Sequence, residues 1–351
     1  MDPFIYDKRL PRTVFGPGTA KSLGDELDRL LVERALILCS PGRAAIAQEL
    51  ADSVGDNRAA VSPVSTEGMP QDAYDLLKAD VERTGAEALV ALGGGSPIGL
   101  GKAWAAETGH PMVAVVTTYS GSEMQNNWYI GDTLDRVQGA SDTALPRTAI
   151  YDPDLTMDLP AKVSAASGMN AMAHAVETLY GPNTNSVLNT LAEDAIRRLG
   201  QSLPKIVDDP SDRAARHDAL YAAWLAAAFR ARAGLEHALA QRVRSRFTLN
   251  HAECHAISVP YAIAANATAA SDAMEIIEHA LGVEDAGTGL WEFNRRLGLN
   301  TGFGALGMPE DGIDEIADIL DGMTFANPVA MDRSALRDVV AQAWAGETPS
   351  F

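Results

Sequence analysis

The stretch ALVALGGGSPIGLGKAWA, residues 88–105, decides the fold, because it joins a buried strand, a glycine bend and the start of a helix. Gly93, Gly94 and Gly95 lack side chains, so the backbone can approach a ligand closely, and the amides at a helix start attract negative charge. The order favours phosphate binding, although such bends are also common as purely structural turns. The spacing matches neither the G-x-G-x-x-G fingerprint nor a P-loop.

Short apolar runs and helical periods alternate on both sides of this bend. Residues 35–39 (ALILC) and 112–118 (MVAVVTT) are continuous apolar runs, as expected of strands buried on both faces of a parallel sheet. Residues 71–84 carry apolar side chains at helical spacing, and residues 99–108 also predict a helix. The alternation predicts a doubly wound α/β layer.

Polar loops follow two of these predicted strands. Ser96 closes the glycine bend, and Thr117 and Thr118 begin a second turn of small residues, TTYSGSE. Sheets of this class bind ligands at the carboxyl ends of their strands. We therefore expect both loops to face the same ligand.

The second half of the chain has a different sequence pattern. Strand-like runs cease there and long helical periods dominate, as in residues 186–203 and 218–240. Residues 147–160 contain two prolines and predict an extended connection. We predict an α/β domain over residues 1–155 and an all-helical domain over residues 156–351, with the ligand pocket in the cleft between them.

The composition excludes several classes of protein. The 351 residues include 47 acidic and 28 basic side chains, a formal net charge of −19 that repels nucleic acids and anionic membrane surfaces. Cys39 and Cys254 are too few for a disulfide framework. The opening residues lack the apolar core of a signal peptide, and no apolar run reaches the roughly 18 residues of a membrane span. We therefore predict a cytoplasmic enzyme with a small-molecule ligand.

Histidines recur in the helical half. Asn170 and His174 are four residues apart and share one helix face, and His251 and His255 form a second pair with the same spacing. Together with His237 they could hold a divalent transition metal. The alternative for each of them is a packing or capping histidine. The pattern is not the H-E-x-x-H of metalloproteases.

Separated motifs occur in a recognisable order: GGGSPIGLGKA, TTYSGSEM, LPRTAIYDP, SGMNAMAHAVE, and the tail LGMPEDGIDEIADI with NPVAMDRSALRDVVAQAWAG. They resemble the maleylacetate reductases, a branch of the iron-containing (group III) alcohol dehydrogenases. The resemblance runs from about Phe15 to Gly346. It implies an α/β N-terminal dinucleotide-binding domain plus an all-α C-terminal domain, an architecture that dehydroquinate synthases share.

The resemblance also implies a chemistry. Members use NADH or NADPH to reduce the carbon–carbon double bond of maleylacetate, giving 3-oxoadipate during the degradation of aromatic compounds, and dimers are common among them. We therefore expect a small anionic organic acid as substrate and a homodimer as the assembly. The candidate cofactor-binding residues are Gly93, Gly94, Gly95, Ser96, Thr117, Thr118, Ser40 and Pro41.

The metal ligands of the superfamily are an aspartate and three histidines. The resemblance places them at Asn170, His174, His237 and His251. Asparagine in place of aspartate, a habit of the reductase branch, removes a negative charge, so affinity for iron or zinc should fall and catalysis can proceed without metal. The candidate catalytic residues are His237, as proton donor, with His251, His174 and Glu236.

The sequence departs from the family pattern mainly in GLEHALAQRVRSRF, residues 234–247. Glu236 replaces a histidine, Ala238 replaces a lysine, and Arg244 with Ser245 replaces a glycine pair. Arginines gather in and just before this segment: Arg230, Arg232, Arg242, Arg244 and Arg246. They predict either a clamp for substrate carboxylates or a solvated or subunit-contact face.

These departures leave alternatives open. The same fold could serve a biosynthetic lyase, isomerase or cyclase with no net redox change, or a binding protein without catalysis. The choice between NAD and NADP is also open, because Ser40 and Pro41 follow a predicted strand with no acidic residue beside them to bind a ribose 2′-hydroxyl. Arg43 could instead bind a 2′-phosphate.

Overall fold

The computed structural model describes residues 4–55, 57–131, 136–230 and 234–351, which form two compact units. One unit comprises residues 7–159, and the other comprises residues 160–351 together with residues 4–6. The sequence predicts the division after residue 155, slightly earlier than the structure has it. It also predicts that the first residues of the chain belong to the α/β domain.

Strands and helices alternate in the first unit. The strands are β1 (Arg12–Phe15), β2 (Ala35–Cys39), β3 (Ala59–Pro63), β4 (Ala88–Gly93), β5 (Met112–Val116), β6 (Asn127–Ile130), β7 (Val137–Ala140) and β8 (Thr148–Tyr151). The helices are α1 (Leu23–Arg29), α2 (Ala44–Ser53), α3 (Gln71–Thr84) and α4 (Gly95–Thr108). Among the described residues, a parallel sheet has the order β1-β8-β5-β4-β2-β3, and β6 and β7 form an antiparallel pair. The predicted fold class is confirmed.

The centre of the sheet consists of the strands that the apolar runs predict. Every residue of β2, β4 and β5 is buried, as a sheet covered on both faces requires. β5 ends at Val116, two residues before the predicted end, and the Thr117 amide then donates to the Gly93 carbonyl at 3.0 Å. The ends of β4 and β5 therefore lie side by side at the carboxyl edge of the sheet.

The predicted extended connection over residues 147–160 contains a strand of the main sheet. β8 pairs in parallel with both β1 and β5, and all four of its residues are buried. The sequence Thr-Ala-Ile-Tyr suits a strand, but Pro153 and Pro160 nearby suggest a loop. Pro153 in fact lies just beyond the strand, where it begins a short 3₁₀ turn.

The second unit is helical in its described residues. Its helices are α5 (Ala161–Tyr180), α6 (Ser186–Asp208), α7 (Arg213–Ala228), α8 (Leu235–Phe247), α9 (His251–Asn266), α10 (Ser271–Leu281), α11 (Ala286–Arg296), α12 (Phe303–Leu306), α13 (Gly312–Asp321) and α14 (Arg333–Ala345). Long as some of these helices are, none in the described parts of the chain is also apolar enough to cross a membrane.

The helical period predicted over residues 218–240 is two helices rather than one. α7 ends at Ala228 and α8 begins at Leu235. A Cβ on Gly234 would lie 2.5 Å from the Ala326 carbonyl oxygen, so the chain packs here at a distance that only glycine permits. The alanine-rich composition hides this break, because alanine favours helix on both sides of it.

α5 runs through the interior of the helical unit. Its residues from Ser164 to Leu179 are all buried, and most of them are small. Gly168 allows Leu203 of α6 to pack directly on the α5 backbone, because a Cβ there would lie 2.4 Å from a methyl group of that leucine. Polar side chains carried by α5 are therefore held in the protein interior.

A buried carboxylate joins three elements of the α/β unit. Glu26 on α1 is 4% exposed and accepts hydrogen bonds from Arg12 Nε at 3.0 Å and Arg29 Nε at 2.9 Å. The Thr148 hydroxyl of β8 donates to the same carboxylate at 2.8 Å. Burial acts to raise the pKa of Glu26, but the hydrogen bonds from Thr148, Arg29 and Arg12 together hold this pKa below its ordinary value.

We expect Glu26→Gln to lower the free energy of unfolding at neutral pH by about 1–3 kcal/mol, because two guanidinium groups and a hydroxyl lose a charged acceptor. Since the folded pKa is depressed, this stabilisation is present above the unfolded pKa and is lost as the pH falls through the folded pKa. Urea unfolding at a series of acidic pH values measures this stability difference, and Glu49→Gln, at an exposed position, is the control. A stability difference that does not shrink in acid contradicts this assignment.

Candidate active site

A cavity opens at the glycine bend of the α/β unit. β4 ends at Gly93, and α4 begins at Gly95 with Gly94 as its N-cap and no side chain bonded to its first amides. The cavity has a volume of about 330 Å³. It is lined by Ser40, Pro41, Ser65, Thr66, Glu67, Gly94, Gly95, Ser96 and Pro97.

Two of the glycines are required by the geometry. Gly93 has a φ of 146°, and a Cβ there would lie 2.6 Å from Pro97 Cγ. A Cβ on Gly94 would lie 2.8 Å from the Thr118 hydroxyl oxygen. Side chains at these positions would fill the bend, so the backbone itself forms the wall that a ligand meets.

This cavity fits the pyrophosphate of a dinucleotide. The N-terminus of α4 presents amides without a capping side chain, and the aligned peptide dipoles favour an anion there. The Thr118 hydroxyl oxygen is buried and has no hydrogen-bond partner within the described protein. A phosphate oxygen at the helix start would satisfy these amides, and a bound ligand could also supply the missing partner of Thr118.

The predicted cofactor residues lie together in this region. Ser40, Pro41, Gly94, Gly95 and Ser96 line the cavity. Gly93 and Thr117 are joined by the hydrogen bond at the sheet edge, and Thr118 packs against Gly94.

Residues that the sequence reasoning missed also line the cavity. Ser65, Thr66 and Glu67 follow β3, a strand that ends in Ser62 and Pro63 and so lacks a continuous apolar signal. The sequence signal that could have found them is their position, because polar residues that follow a strand of a doubly wound sheet lie where such sheets bind ligands.

Arg43 does not line the cavity. Its guanidinium forms an ion pair with Asp158. Glu67, in the loop after β3, is an acidic residue that lines the cavity.

A second group of polar residues lies inside the helical unit, and we call it the histidine centre. α5 carries two of its members, α8 carries two and α9 carries one. The members are His174, Glu177, Glu236, His237 and His255, and all of them are buried.

His237 is held by hydrogen bonds at both ring nitrogens. Nδ1 lies 2.7 Å from an oxygen of Glu177 and 2.7 Å from an oxygen of Glu236. Nε2 lies 2.7 Å from Nδ1 of His174, and the two rings stack with centroids 4.6 Å apart. The ring therefore has carboxylates at one end and an imidazole at the other.

Arg230 defines the direction of these hydrogen bonds. Its Nη1 lies 3.1 Å from His174 Nδ1, and a guanidinium can only donate, so this ring nitrogen is an acceptor. His237 Nε2 must then donate to it, while His237 Nδ1 donates to Glu177. Hydrogen bonding thus assigns protons to both nitrogens of His237, which makes it an imidazolium.

The charges in the centre agree with this assignment. Burial acts to lower the pKa of His237, but the carboxylates of Glu236 and Glu177 raise it to about 9. Burial acts to raise the pKa of Glu236, but the neighbouring His255 and His237 lower it to about 2. Burial lowers the pKa of Arg230 to about 10, against the attraction of Glu177, so the guanidinium stays charged at neutral pH.

Glu177 fixes the start of α8 as well as His237. Its carboxylate accepts hydrogen bonds from the amides of Gly234 at 3.0 Å and Glu236 at 2.8 Å. A carboxylate is favourable at a helix N-terminus because it meets unpaired amides and the positive end of the dipole. The same side chain therefore positions the helix and the imidazole that the helix carries.

Of the four predicted metal ligands, His174 and His237 are in direct contact, and Asn170 lies one turn before His174 on the same face of α5. The His251 ring meets the edge of His255 with centroids 4.6 Å apart. His251 therefore follows His255 in a series of adjacent rings.

Among the described residues, Glu236, His237 and His255 offer ligand atoms within 4.8 Å of one another, a group that could hold a divalent ion if His237 gave up a ring proton, because a ligand nitrogen needs a free lone pair. The pair of His174 and His237 does not fit one ion as it stands. Two nitrogens on one tetrahedral ion with bonds of ~2.0–2.1 Å lie roughly 3.4 Å apart, and the His237–His174 separation is 2.7 Å, a hydrogen-bond distance. The guanidinium of Arg230, beside the same nitrogen, adds a positive charge that repels a cation.

The arginines that are grouped in the sequence lie in different surroundings in the structure. Arg230 contacts the histidine centre, whereas Arg246 lies at the surface and pairs with Glu315. Arg244 is buried and Arg242 is partly buried on α8. Arg232 lies outside the described residues.

Glu236, which sequence reasoning named, joins His237 to His255, whose Nδ1 lies 2.8 Å from the carboxylate. Glu177 was missed, although it is three residues after His174 and so shares its helix face. The contact of Arg230 with His174 had no local signal, because it joins residues 56 positions apart.

Comparison with known proteins gives a consistent result over the whole chain. Residues 11–153 match the iron-containing alcohol dehydrogenase family, and residues 164–344 match its C-terminal domain. A maleylacetate reductase from Burkholderia cepacia is 40% identical and one from Sphingobium indicum is 38% identical, with 100% and 99% of each chain covered. The crystal structure of maleylacetate reductase from Agrobacterium tumefaciens superposes with a TM-score of 0.93 at 33% identity, over 99% of this chain and 100% of that one.

We expect the His237 imidazole to titrate near pH 9 and to titrate at lower pH in Glu236→Gln, because one of the two carboxylates at Nδ1 loses its charge. Nitrogen-15 NMR of histidine-labelled protein measures both values. Glu253→Gln on α9 is the control, since this carboxylate pairs with Lys162. A wild-type midpoint near the ordinary value of about 6.5 contradicts the assignment.

Proposed function

Because this chain belongs to the maleylacetate reductase branch of the iron-containing alcohol dehydrogenase family, we propose that it is an NAD(P)H-dependent reductase of maleylacetate. The observation that carries the proposal is the buried His237, held as an imidazolium between two carboxylates and a second imidazole. Reduction of a carbon–carbon double bond needs such a proton source beside a hydride donor.

The α/β unit holds the cofactor in this proposal. The amides of Gly95 and Ser96 bind the pyrophosphate at the start of α4, and Thr118 binds on the β5 side. Ser40 and Glu67 follow β2 and β3, on the other side of β4, where the adenosine half extends. When bound, the reduced nicotinamide supplies a hydride to the double bond of the substrate.

We further propose that NADH is preferred to NADPH. Glu67 lines the adenosine side of the cavity and can accept a hydrogen bond from a ribose 2′-hydroxyl, whereas it repels a 2′-phosphate. Arg43, the cation nearest in sequence to Ser40, is paired with Asp158. Both contacts disfavour the additional phosphate of NADPH.

The histidine centre supplies the proton. His237 donates through Nε2 to Nδ1 of His174, so a proton can pass along this pair towards the substrate. Glu177 and Glu236 keep His237 protonated at neutral pH and fix the orientation of its ring. The ketone and carboxylate of maleylacetate already polarise its double bond, so no step of the proposed reaction requires a metal ion.

The setting of the reaction is also a proposal. The family supports a role in the degradation of aromatic compounds and a homodimeric assembly. Two buried free cysteines favour the reducing cytoplasm. The acidic composition also favours a small organic acid, bound at a local cationic site, over nucleic acid or membrane as the partner.

We expect purified protein to oxidise one NADH for each maleylacetate consumed, at a higher kcat/KM than with NADPH, and to keep this rate after dialysis against a chelator. Absorbance of the reduced nicotinamide and chromatography of the organic acid measure both sides of the reaction. Folded protein that consumes neither cofactor nor substrate rejects the proposal. Substrate conversion without net cofactor oxidation supports the lyase, isomerase or cyclase alternative instead.

We expect Gly94→Ala to weaken NADH binding by about tenfold or more, because the added Cβ would lie 2.8 Å from the Thr118 hydroxyl and must displace it. Gly42→Ala is the matched control, since no atom lies within 4 Å of a Cβ there. Isothermal titration calorimetry with NADH measures both affinities independently of catalysis. Equal affinities of the two variants contradict the assigned cradle.

A further inference from the structure

We propose that Arg230 is a further catalytic residue, whose guanidinium binds the ketone oxygen of the substrate and stabilises the negative charge that forms there. This inference rests on the proposed function. It follows from the contact of Arg230 with the histidine centre and from the arrangement of charge there.

Arg230 contacts the imidazole pair at the nitrogen where the two rings meet. Its Nη1 lies 3.1 Å from His174 Nδ1, whereas Glu177 and Glu236 bind His237 Nδ1 at the other end of the pair. The guanidinium and His237 Nε2 therefore meet at one nitrogen of His174, while the carboxylates lie at the other nitrogen of His237. An anionic substrate group is repelled beside the carboxylates and attracted beside the guanidinium.

The reaction creates negative charge at a defined atom. Maleylacetate accepts a hydride at the double-bond carbon that bears a carboxylate, while the nicotinamide is oxidised. The electron pair of the double bond then moves towards the ketone and leaves an enolate oxygen. A proton added to the carbon beside the ketone restores the carbonyl and gives 3-oxoadipate. The sum is one hydride and one proton added to the substrate.

The atom that develops charge lies close to the atom that receives the proton. The protonated carbon and the ketone oxygen are bonded to the same carbonyl carbon, so they are roughly 2.4 Å apart by ordinary bond geometry. When His237 delivers the proton through His174, the ketone oxygen therefore lies near the residues that contact His174. Arg230 is the neighbour that can donate a charged hydrogen bond to an oxyanion.

This role agrees with the contact between His174 and His237, which is too short for two ligands of one metal ion. A bound cation would polarise the ketone, and the guanidinium supplies a fixed positive charge with the same effect and without an open coordination position. Because arginine stays charged at all physiological pH values, its effect does not depend on a proton being present.

The test compares Arg230→Gln and Arg230→Lys with Arg246→Gln, an arginine paired with Glu315 at the surface. We expect Arg230→Gln to lower kcat for maleylacetate by about 10²–10³ with little change in KM or in the Kd for NADH. Arg230→Lys should retain part of the rate, guanidinium ion in solution should partly restore Arg230→Gln, and Arg246→Gln should resemble wild type. Circular dichroism and thermal melts confirm that each variant is folded.

Several results overturn the proposal. An unchanged kcat in folded Arg230→Gln overturns it. A rise in KM alone also overturns it, because that result marks a carboxylate-binding residue rather than a group acting on the ketone. A second readout separates this proposal from the assigned activity. Oxalate resembles an enolate, and we expect its Kd in the presence of NAD⁺ to rise about tenfold in Arg230→Gln.

If wild type fails to reduce maleylacetate but binds oxalate through Arg230, the assigned substrate is wrong and the oxyanion site stands. Equal oxalate affinity in wild type and Arg230→Gln overturns the oxyanion site.

Discussion

The carboxylate of Glu177 is the constraint on which the histidine centre depends. It accepts hydrogen bonds from the amides of Gly234 and Glu236 and from Nδ1 of His237, and thereby fixes where α8 begins and how the imidazole is turned. Burying a carboxylate is unfavourable unless its oxygens are satisfied, and here a helix start and a cation satisfy them. Glu236 and His237, which contact His255 and His174, lie in the first turn of the helix that Glu177 holds.

The two units use the physics of helix starts in opposite ways. In the α/β unit the start of α4 has glycines and no capping side chain, so its amides remain available for a ligand anion. In the helical unit the start of α8 is capped by Glu177 from α5, so the charge is built into the protein. The first arrangement suits a cofactor that binds and leaves, and the second suits a permanently charged proton donor.

Much of the fold was predictable from local pattern. β2, β4 and the α3 helix emerge at their predicted positions, because apolar runs and a helical period specify buried strands and an amphipathic helix directly. β8 was missed because the nearby prolines suggest a loop more strongly than a run of four strand-forming residues suggests a strand. The break between α7 and α8 was missed because alanine favours helix on both sides of it, and the close packing of Gly234 on the Ala326 carbonyl joins distant segments.

The site divides in the same way. The glycine bend was predictable because its residues are contiguous, whereas Glu67 enters the cavity from a strand with a weak signal. The resemblance indicated His174 and His237, but the protonation of His237 depends on Glu177 and Arg230, which approach from separate helices and loops. Charge balance in a buried centre is a tertiary property, so residue types and spacing alone did not define it.

Isotope transfer tests the central claim most directly. The measurement uses NADH deuterated at the transferable position of the nicotinamide and examines the organic acid product by NMR and mass spectrometry. We predict one deuterium in the product, on the methylene carbon beside the carboxylate and away from the ketone, where it does not exchange with water. A product without deuterium at that carbon would contradict hydride transfer to the double bond.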